Sequence, residues 1–561
     1  MKSYKTNPFT YEVIKDAFIA TGEEMFIALA KTSMSPIVYE VLDYACGLTN
    51  KKGELITQGN GVTGFIGMLS FMVKDTIEKH GDTIEEGDIF IINDPYKGGG
   101  SHLNDVGLVM PVFYQGELIS FVANKAHWTD VGGKDPGSMS TNSTEIFQEG
   151  LQFTCLKLFS KGEINEPLLK FIEGNVRYPK ISIGDLWAQV AALRTGEKRL
   201  IELCDKYSGD VILESMERFL DQGEMLSLKE ISKLPKGTFE LSDLIDDDGI
   251  TDDQINIQVK ITITDDEFIC DFTGTDSQVQ GPINSSYTGL VSSVRTIFLA
   301  ITNSEQDIND GAFRPLKIIA EKGSIVNTSS PAPTSMYWES MLYGNELVWK
   351  ALAQYLPDKL TAGHLMSVCT VIMGGKHPDK DENFLIVEPS VGGWGAGDNQ
   401  DGDTGQFCIL DGETFNVPVE IAETTYGVII DEYSMRTDGK GAGKHRGGPG
   451  VIRSYRALTD NQFFTASYGH HKLNVWGANG GLEGSNNEFL IEKADGSIDG
   501  PFGKYNQYKL NTGDKVIMRT ATGGGYGDPK ERSKEDIERD ILNEYITPEQ
   551  AVEYYGYEVE K

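Results

Sequence analysis

Cysteine is scarce and scattered. Six residues, Cys46, Cys155, Cys204, Cys270, Cys369 and Cys408, are spread through 561. They form no CxxC pair for a zinc ribbon or redox disulfide, and no dense framework of the kind that staples small secreted domains. This predicts a reducing, cytoplasmic setting. Basic residues are also few: 50 Lys and Arg stand against 84 Asp and Glu, for a net charge of −34. Such a surface repels the phosphate backbones and anionic headgroups that Lys and Arg must neutralise, which excludes nucleic acid and membranes as expected partners. Long apolar runs are missing. The most lipid-like stretch, residues 62–73, is about 12 residues with Gly64 and Gly67 inside it, short of the roughly 20 that span a bilayer. Met1, Lys2 and Lys5 start a weakly basic N-terminus. Glu12, Lys15 and Asp16 then stand where an apolar segment would mark a secretory leader, so none is expected.

What is present is length and glycine. At about 150 residues per domain the chain predicts three to four structural units, and 63 glycines predict many tight turns and close backbone approaches. Ile14, Phe18, Met25 and Leu29 recur at helical spacing over residues 10–31. Residues 89–92 form a short β-prone run after Gly87-Asp88. Two further runs, 106–114 and 118–123, flank Gln115-Gly116-Glu117 and predict an antiparallel hairpin. Residues 183–232 favour helices, and strands such as 255–263 and 268–272 follow Pro235-Lys236-Gly237. No repeat of solenoid period occurs. Ser533 with Asp536 and Thr547-Pro548-Glu549 announce helix starts near the end. The expected class is α+β, in several units: an N-terminal unit (1–235) containing the hairpin and ending in helices, a β-rich middle unit (236–335), a glycine-rich α+β unit (336–530) and a helical tail (531–561).

Histidine is rarer than chance placement makes comfortable. Of eight in the chain, two head nearly the same hexapeptide, His102-Leu103-Asn104-Asp105-Val106-Gly107 and His127-Trp128-Thr129-Asp130-Val131-Gly132. The first copy precedes one strand of the hairpin and the second follows its partner, so antiparallel pairing brings both to one end. His102, Asp105 and His127 then offer two imidazoles and a carboxylate, a donor set suited to Zn, Mn or Fe with a position left for water or substrate. Hydrogen-bonded turn histidines with aspartate caps are the plain structural alternative. Asp130 fits a fourth ligand, an orienter of a histidine, or a turn cap.

These segments resemble the hydantoinase B/oxoprolinase family, the non-kinase subunit of ATP-dependent enzymes that open cyclic amides, with ketone carboxylases as relatives. The likeness runs through Glu40-x-x-Asp43-Tyr44-Ala45-Cys46, Asn93-Asp94-Pro95-Tyr96, Gly100-Ser101-His102-Leu103-Asn104-Asp105 and Ala123-Asn124-Lys125-Ala126-His127. It continues in Gly281-Pro282-Ile283-Asn284, Asn416-Val417-Pro418-Val419-Glu420, Gly441-Ala442-Gly443-Lys444-His445-Arg446 and Thr522-Gly523-Gly524-Gly525-Tyr526-Gly527-Asp528-Pro529. It implies one divalent metal (Zn, Mn or Fe) on Asp43, His102, Asp105 and His127, Asp43 coming from the resemblance alone. One departure stands out: where many relatives have a histidine before a Gly-Met step, this chain has Phe65-Ile66-Gly67-Met68.

The resemblance further implies a hetero-oligomer in which a kinase-like, hydantoinase A-type subunit uses ATP to phosphorylate the amide oxygen of a hydantoin, 5-oxoproline or lactam. Water activated by the metal then opens the ring, with Asp130 or another carboxylate moving the proton. A ketone carboxylase subunit and a non-catalytic scaffold for the kinase-like subunit are the alternatives. The stretch from Asp438 to His445 imitates a phosphate loop, but Asp438 and His445 stand where a Walker A motif needs Gly and Ser or Thr. Lys444 and Arg446 remain candidates to receive a phosphorylated intermediate. The Gly392–Asp403 region lacks the spaced ligands of an EF-hand and reads as loops near the pocket. His470 and His471, being adjacent, would point to opposite faces of a strand.

Overall fold

The computed structural model describes residues 4–59, 61–302 and 308–558; Met1, Lys2 and Ser3 of the basic N-terminus lie outside them. The fold is α+β. Helix α1 (Pro8–Thr32) starts where the Asn7 side chain accepts from the Phe9 amide with Pro8 in its first turn, and it buries Tyr11, Ile14, Phe18, Met25 and Leu29. Seven strands follow in one antiparallel sheet: β1 (Tyr44–Asn50), β2 (Leu55–Gln58), β3 (Ile89–Ile92), β4 (Asp105–Tyr114), β5 (Glu117–His127), β6 (Thr154–Ser160) and β7 (Glu163–Ile164), ordered β2-β1-β5-β4-β3-β6-β7. The hairpin is thus β4–β5, and its strands extend beyond the apolar runs to include Asp105 and His127.

Helix α2 (Met68–His80) lies between β2 and β3 in the chain, and α3 (Pro179–Tyr207) and α4 (Gly209–Ile231) follow β7. Side chains alternate between sheet faces along β5. Asn124 donates to the Gln189 carbonyl of α3, whereas Lys125 reaches the Met68 sulfur at the start of α2. His127, two residues on, falls on the Lys125 face, the face opposite α3.

The middle of the chain folds as a four-stranded sheet, β8 (Gly237–Ile245), β9 (Ile255–Ile263), β10 (Phe268–Asp271) and β11 (Leu316–Ile319), in the order β11-β10-β9-β8. Buried and part-exposed residues alternate along β9, as expected for a sheet covered on one face. Helices α5 (Tyr287–Thr302) and α6 (Trp338–Leu352) are buried almost all round and lead to three further antiparallel sheets among the described residues, one beginning with β12 (Thr370–Lys376) and β13 (Asn383–Glu388). One continuous hydrophobic core runs from Tyr11 to Ala521, and the helical tail adds a small cluster of Ala442, Ile537, Ile546, Ala551 and Tyr555.

The glycine surplus has a physical reason in the C-terminal half, where segments near residues 393, 448 and 523 interleave backbone to backbone. A Cβ on Gly523 would lie 2.1 Å from the Trp394 carbonyl oxygen, and one on Gly448 1.8 Å from that of Asp403. No side chain fits there. Ser533 accepts from the Asp536 amide, and the full reciprocal capping box belongs to Thr547 and Gln550. All six cysteines are free and buried. No helix among the described residues is long and apolar enough to cross a membrane.

Candidate metal centre

Three neighbouring strands bring the principal residues into one row. Asp105 opens β4 and pairs directly with His127 at the end of β5. Tyr44 of β1 pairs with Ala126 on the other side of β5, and the His127 amide donates to the Asp43 carbonyl at 3.1 Å. His102 precedes β4 in a tight turn. Its approach through Gly98 and Gly99 has φ of 77° and 76°, the left-handed region glycine occupies without strain. A Cβ on Gly100 would sit 2.3 Å from the Asp94 carbonyl oxygen.

His102, Asp105 and His127 are all buried, and each offers a donor atom within 4.8 Å of the others. His102 Nδ1 faces the Ser335 carbonyl at 3.2 Å. If Nδ1 carries the proton to that carbonyl, Nε2 is left as a lone pair directed at Asp105 Oδ1, 3.1 Å away. His127 Nδ1 is buried with no hydrogen-bond partner. Two lone pairs facing one another and an orphaned imidazole nitrogen are costly when buried, and a divalent cation satisfies all three. The residues present therefore fit a metal. Asp43 lines the same cavity.

With a proton on Nε2 as well, His102 is a cation that donates to Asp105, and the charges of that state shift the neighbouring groups as follows. Burial, reinforced by neighbouring His102, pushes His127 down to about 3, so its imidazole is neutral at physiological pH. Burial alone would raise Asp105, but His102 and Lys125 outweigh it and hold the carboxyl well below its usual range. Asp43 is driven the other way, by burial first and then by Asp105 and Asp411. Lys125, pushed down to about 8 by burial, places its ammonium 3.8 Å from Asp105, 2.6 Å from Ser101 Oγ and over the Phe65 ring. Ser101 and Tyr337 hydroxyls also donate to Asp105 Oδ2.

Several of these groups escape a motif reading. Lys125 carries a signal, since it lies two residues before His127 and so shares its face. Glu149 carries none. It accepts from the Thr334 and Ser335 amides and from Ser143 Oγ, fixing the loop whose Ser335 carbonyl holds His102. Asp411 also carries none. It enters the cavity from the loop after Cys408, whose thiol donates to its carboxylate at 3.4 Å, and burial pushes it up to about 7.

The other expected residues lie elsewhere. Asp130 is fully engaged by the Arg177 guanidinium at 2.9 Å and by the amides of Gly132, Gly137 and Arg177, and it does not line the cavity. Arg446 binds Asp540 at 3.1 Å and stacks on Tyr545, 4.1 Å from the ring centre, tying the tail to the glycine loops. Lys444 is exposed beside it. Trp394 borders a separate pocket with Trp349, Lys359 and Phe407. His471 bridges Asp246 and Asp247 at 3.1 and 3.0 Å, while His470 turns to Tyr343.

Comparison with known proteins places this geometry. A family model described as Hydantoinase B/oxoprolinase matches residues 7–529. A protein of Pseudomonas sp. (strain NS671), provisionally designated the B component of a D-/L-hydantoinase, is 32% identical over 98% of this chain and 95% of its own. Among solved structures, the ATP-dependent caprolactamase from Pseudomonas jessenii superposes with a TM-score of 0.92 at 27% identity, covering 99% of this chain and 97% of the other. A nucleotide-free acetone carboxylase superposes at 0.91 with 21% identity, covering 99% and 80%, a likeness of fold.

Proposed function

We propose, since the chain belongs to the hydantoinase B/oxoprolinase family, that it is the ring-opening subunit of an ATP-dependent hydrolase of cyclic amides. The observation that carries this reading is the buried His102–Asp105–His127 cluster with its unpartnered His127 nitrogen, set in a cavity with largely apolar walls. His102, Asp105 and His127, with Asp43 as the fourth donor, would hold the metal, which would be Zn, Mn or Fe. A bound divalent ion supplies a nucleophile near neutral pH by lowering the pKa of water.

The chain's own residues supply the rest. An amide resists attack because of its resonance, and phosphorylation of its oxygen by a kinase-like subunit using ATP removes that protection. Addition of water to the activated carbon gives a tetrahedral adduct; cleavage of its C–N bond leaves an acyl phosphate, which a second water hydrolyses to carboxylate and inorganic phosphate, and leaves the nitrogen in need of a proton. Asp411 is the carboxyl placed to give it, because it lines the cavity and holds its proton near neutrality. Asp130 ties the turn of Gly132 and Gly137 to Arg177 and acts on the chemistry only through those contacts. Lys359, Lys444 and Arg446 lie outside the cavity.

The acetone carboxylase likeness supports a shared scaffold, while hydrolysis is supported by the names of the hydantoinase and caprolactamase relatives. Purified complex given ATP with a panel of hydantoins and lactams should release ring-opened product without bicarbonate. Bicarbonate-dependent carbon fixation onto a ketone, with every cyclic amide untouched, would refute the hydrolase assignment.

A further inference from the structure

Taking the hydrolase reading above as its basis, we infer that the cavity accepts cyclic amides whose ring and substituents are uncharged and apolar, and rejects rings that carry a carboxylate. The argument rests on what faces the space beyond the His–Asp cluster. Val41, Val62, Phe65, Met341, Val368 and Leu410 line it. No Lys or Arg is among the residues lining it.

The carboxyl groups Asp43, Asp105, Glu388 and Asp411 line it instead. The nearest cations stand behind them and are already committed. Lys125 is held by Ser101, the Gly99 carbonyl and Asp105. Arg453 is buried against Glu388 at 3.3 Å and the Val417 carbonyl. Neither can swing into the cavity without abandoning a buried carboxylate, which costs several kcal/mol.

An anionic oxygen on the reacting amide would be balanced by the divalent ion that His102, Asp105 and His127 would hold. A second anion elsewhere on the ring meets aliphatic walls and acidic neighbours, and leaving it there unpaired is strongly unfavourable. Sites that lack the partner for a substrate's polar group discriminate in just this sense, by orders of magnitude. The apolar walls, in contrast, gain from every methylene they cover.

The test uses two rings that differ only in the carboxylate, 2-pyrrolidinone and 5-oxoproline, with 5-oxoproline amide as the neutral control of equal size. In the complex with its kinase-like subunit and ATP, kcat/KM for 2-pyrrolidinone and the amide should exceed that for 5-oxoproline by about 100-fold or more. Thermal shift of the chain itself should rank the three in the same order without any turnover. Val368→Lys, which puts an ammonium at a half-exposed lining position, should narrow the gap at least tenfold. Turnover of 5-oxoproline equal to or above that of 2-pyrrolidinone overturns the inference, as does equal stabilisation by all three. If no ring is opened but the two neutral rings still stabilise the chain selectively, the hydrolase reading fails and the selectivity stands.

Discussion

Glu149→Gln isolates a buried carboxyl that never meets the metal. Burial pushes Glu149 up to about 7, against an ordinary value near 4.5. A folded-state pKa above the unfolded one means that the native state binds more protons between the two values. Stability therefore falls as pH rises from about 4.5 to about 7 and is level above that. At 1.36 kcal/mol per unit, the contribution lost across this window is about 3 kcal/mol. Glutamine does not titrate, so the stability of the variant relative to wild type should climb by about 3 kcal/mol between pH 4.5 and pH 7.5.

Its offset is negative at low pH, because the Gln –NH2 must face the Thr334 or Ser335 amide, orphaning a buried donor at about 1–3 kcal/mol. The same misfit shifts the Ser335 carbonyl that fixes His102, and loss of such a support lowers metal affinity by about 10- to 100-fold. Urea unfolding at several pH values gives the first quantity and chelator competition the second. A flat stability difference across pH, together with metal affinity within twofold of wild type, would refute both the burial argument and the Glu149–Ser335–His102 chain.

His127→Ala should leave purified protein without stoichiometric metal and abolish ring opening while the kinase-like subunit still hydrolyses part of its ATP; elemental analysis and product assay check both, and retained product formation excludes the site. Asp411→Asn should cut kcat about 100-fold or more and remove the fall in activity that deprotonation of Asp411 imposes above about pH 7, with metal content unchanged; an unaltered pH profile rules Asp411 out as the proton donor. Arg446→Ala should loosen the tail helices (Lys534–Leu542 and Pro548–Tyr555), seen as faster proteolysis there with kcat preserved; a drop in kcat without loosening would assign Arg446 to the intermediate instead. Gly523→Ala should destabilise the whole C-terminal half by several kcal/mol, since its Cβ overlaps the Trp394 carbonyl, and wild-type melting would contradict the interleaved backbone.

What could be read from the sequence followed local rules. His102, Asp105 and His127 were legible because they sit at the two ends of a hairpin, where pairing alone decides proximity. The period of two that places Lys125 beside His127 was equally local. Asp411, Glu149, Tyr337 and the Ser335 carbonyl were not, because each reaches the site from a loop or helix positioned by packing across the core. Asp130 shows the converse: its motif repeats that of Asp105, yet it follows β5 where Asp105 opens β4, and the chain there turns towards Arg177. Equivalent letters at opposite ends of antiparallel strands need not share a face or a task.

The row formed by Asp43, His127 and Asp105 across β1, β5 and β4 makes the centre a gauge of strand register. A slip of one residue in β5 would turn His127 towards α3 and present Asn124 and Ala126 to the cavity instead. No unfolded or misregistered chain can assemble these donors, so an ion that binds them favours the correctly paired sheet alone and stabilises it in proportion to its free concentration. The metal would act as a clasp on the open end of three strands, and proofreading of the fold and loading of the cofactor become one event.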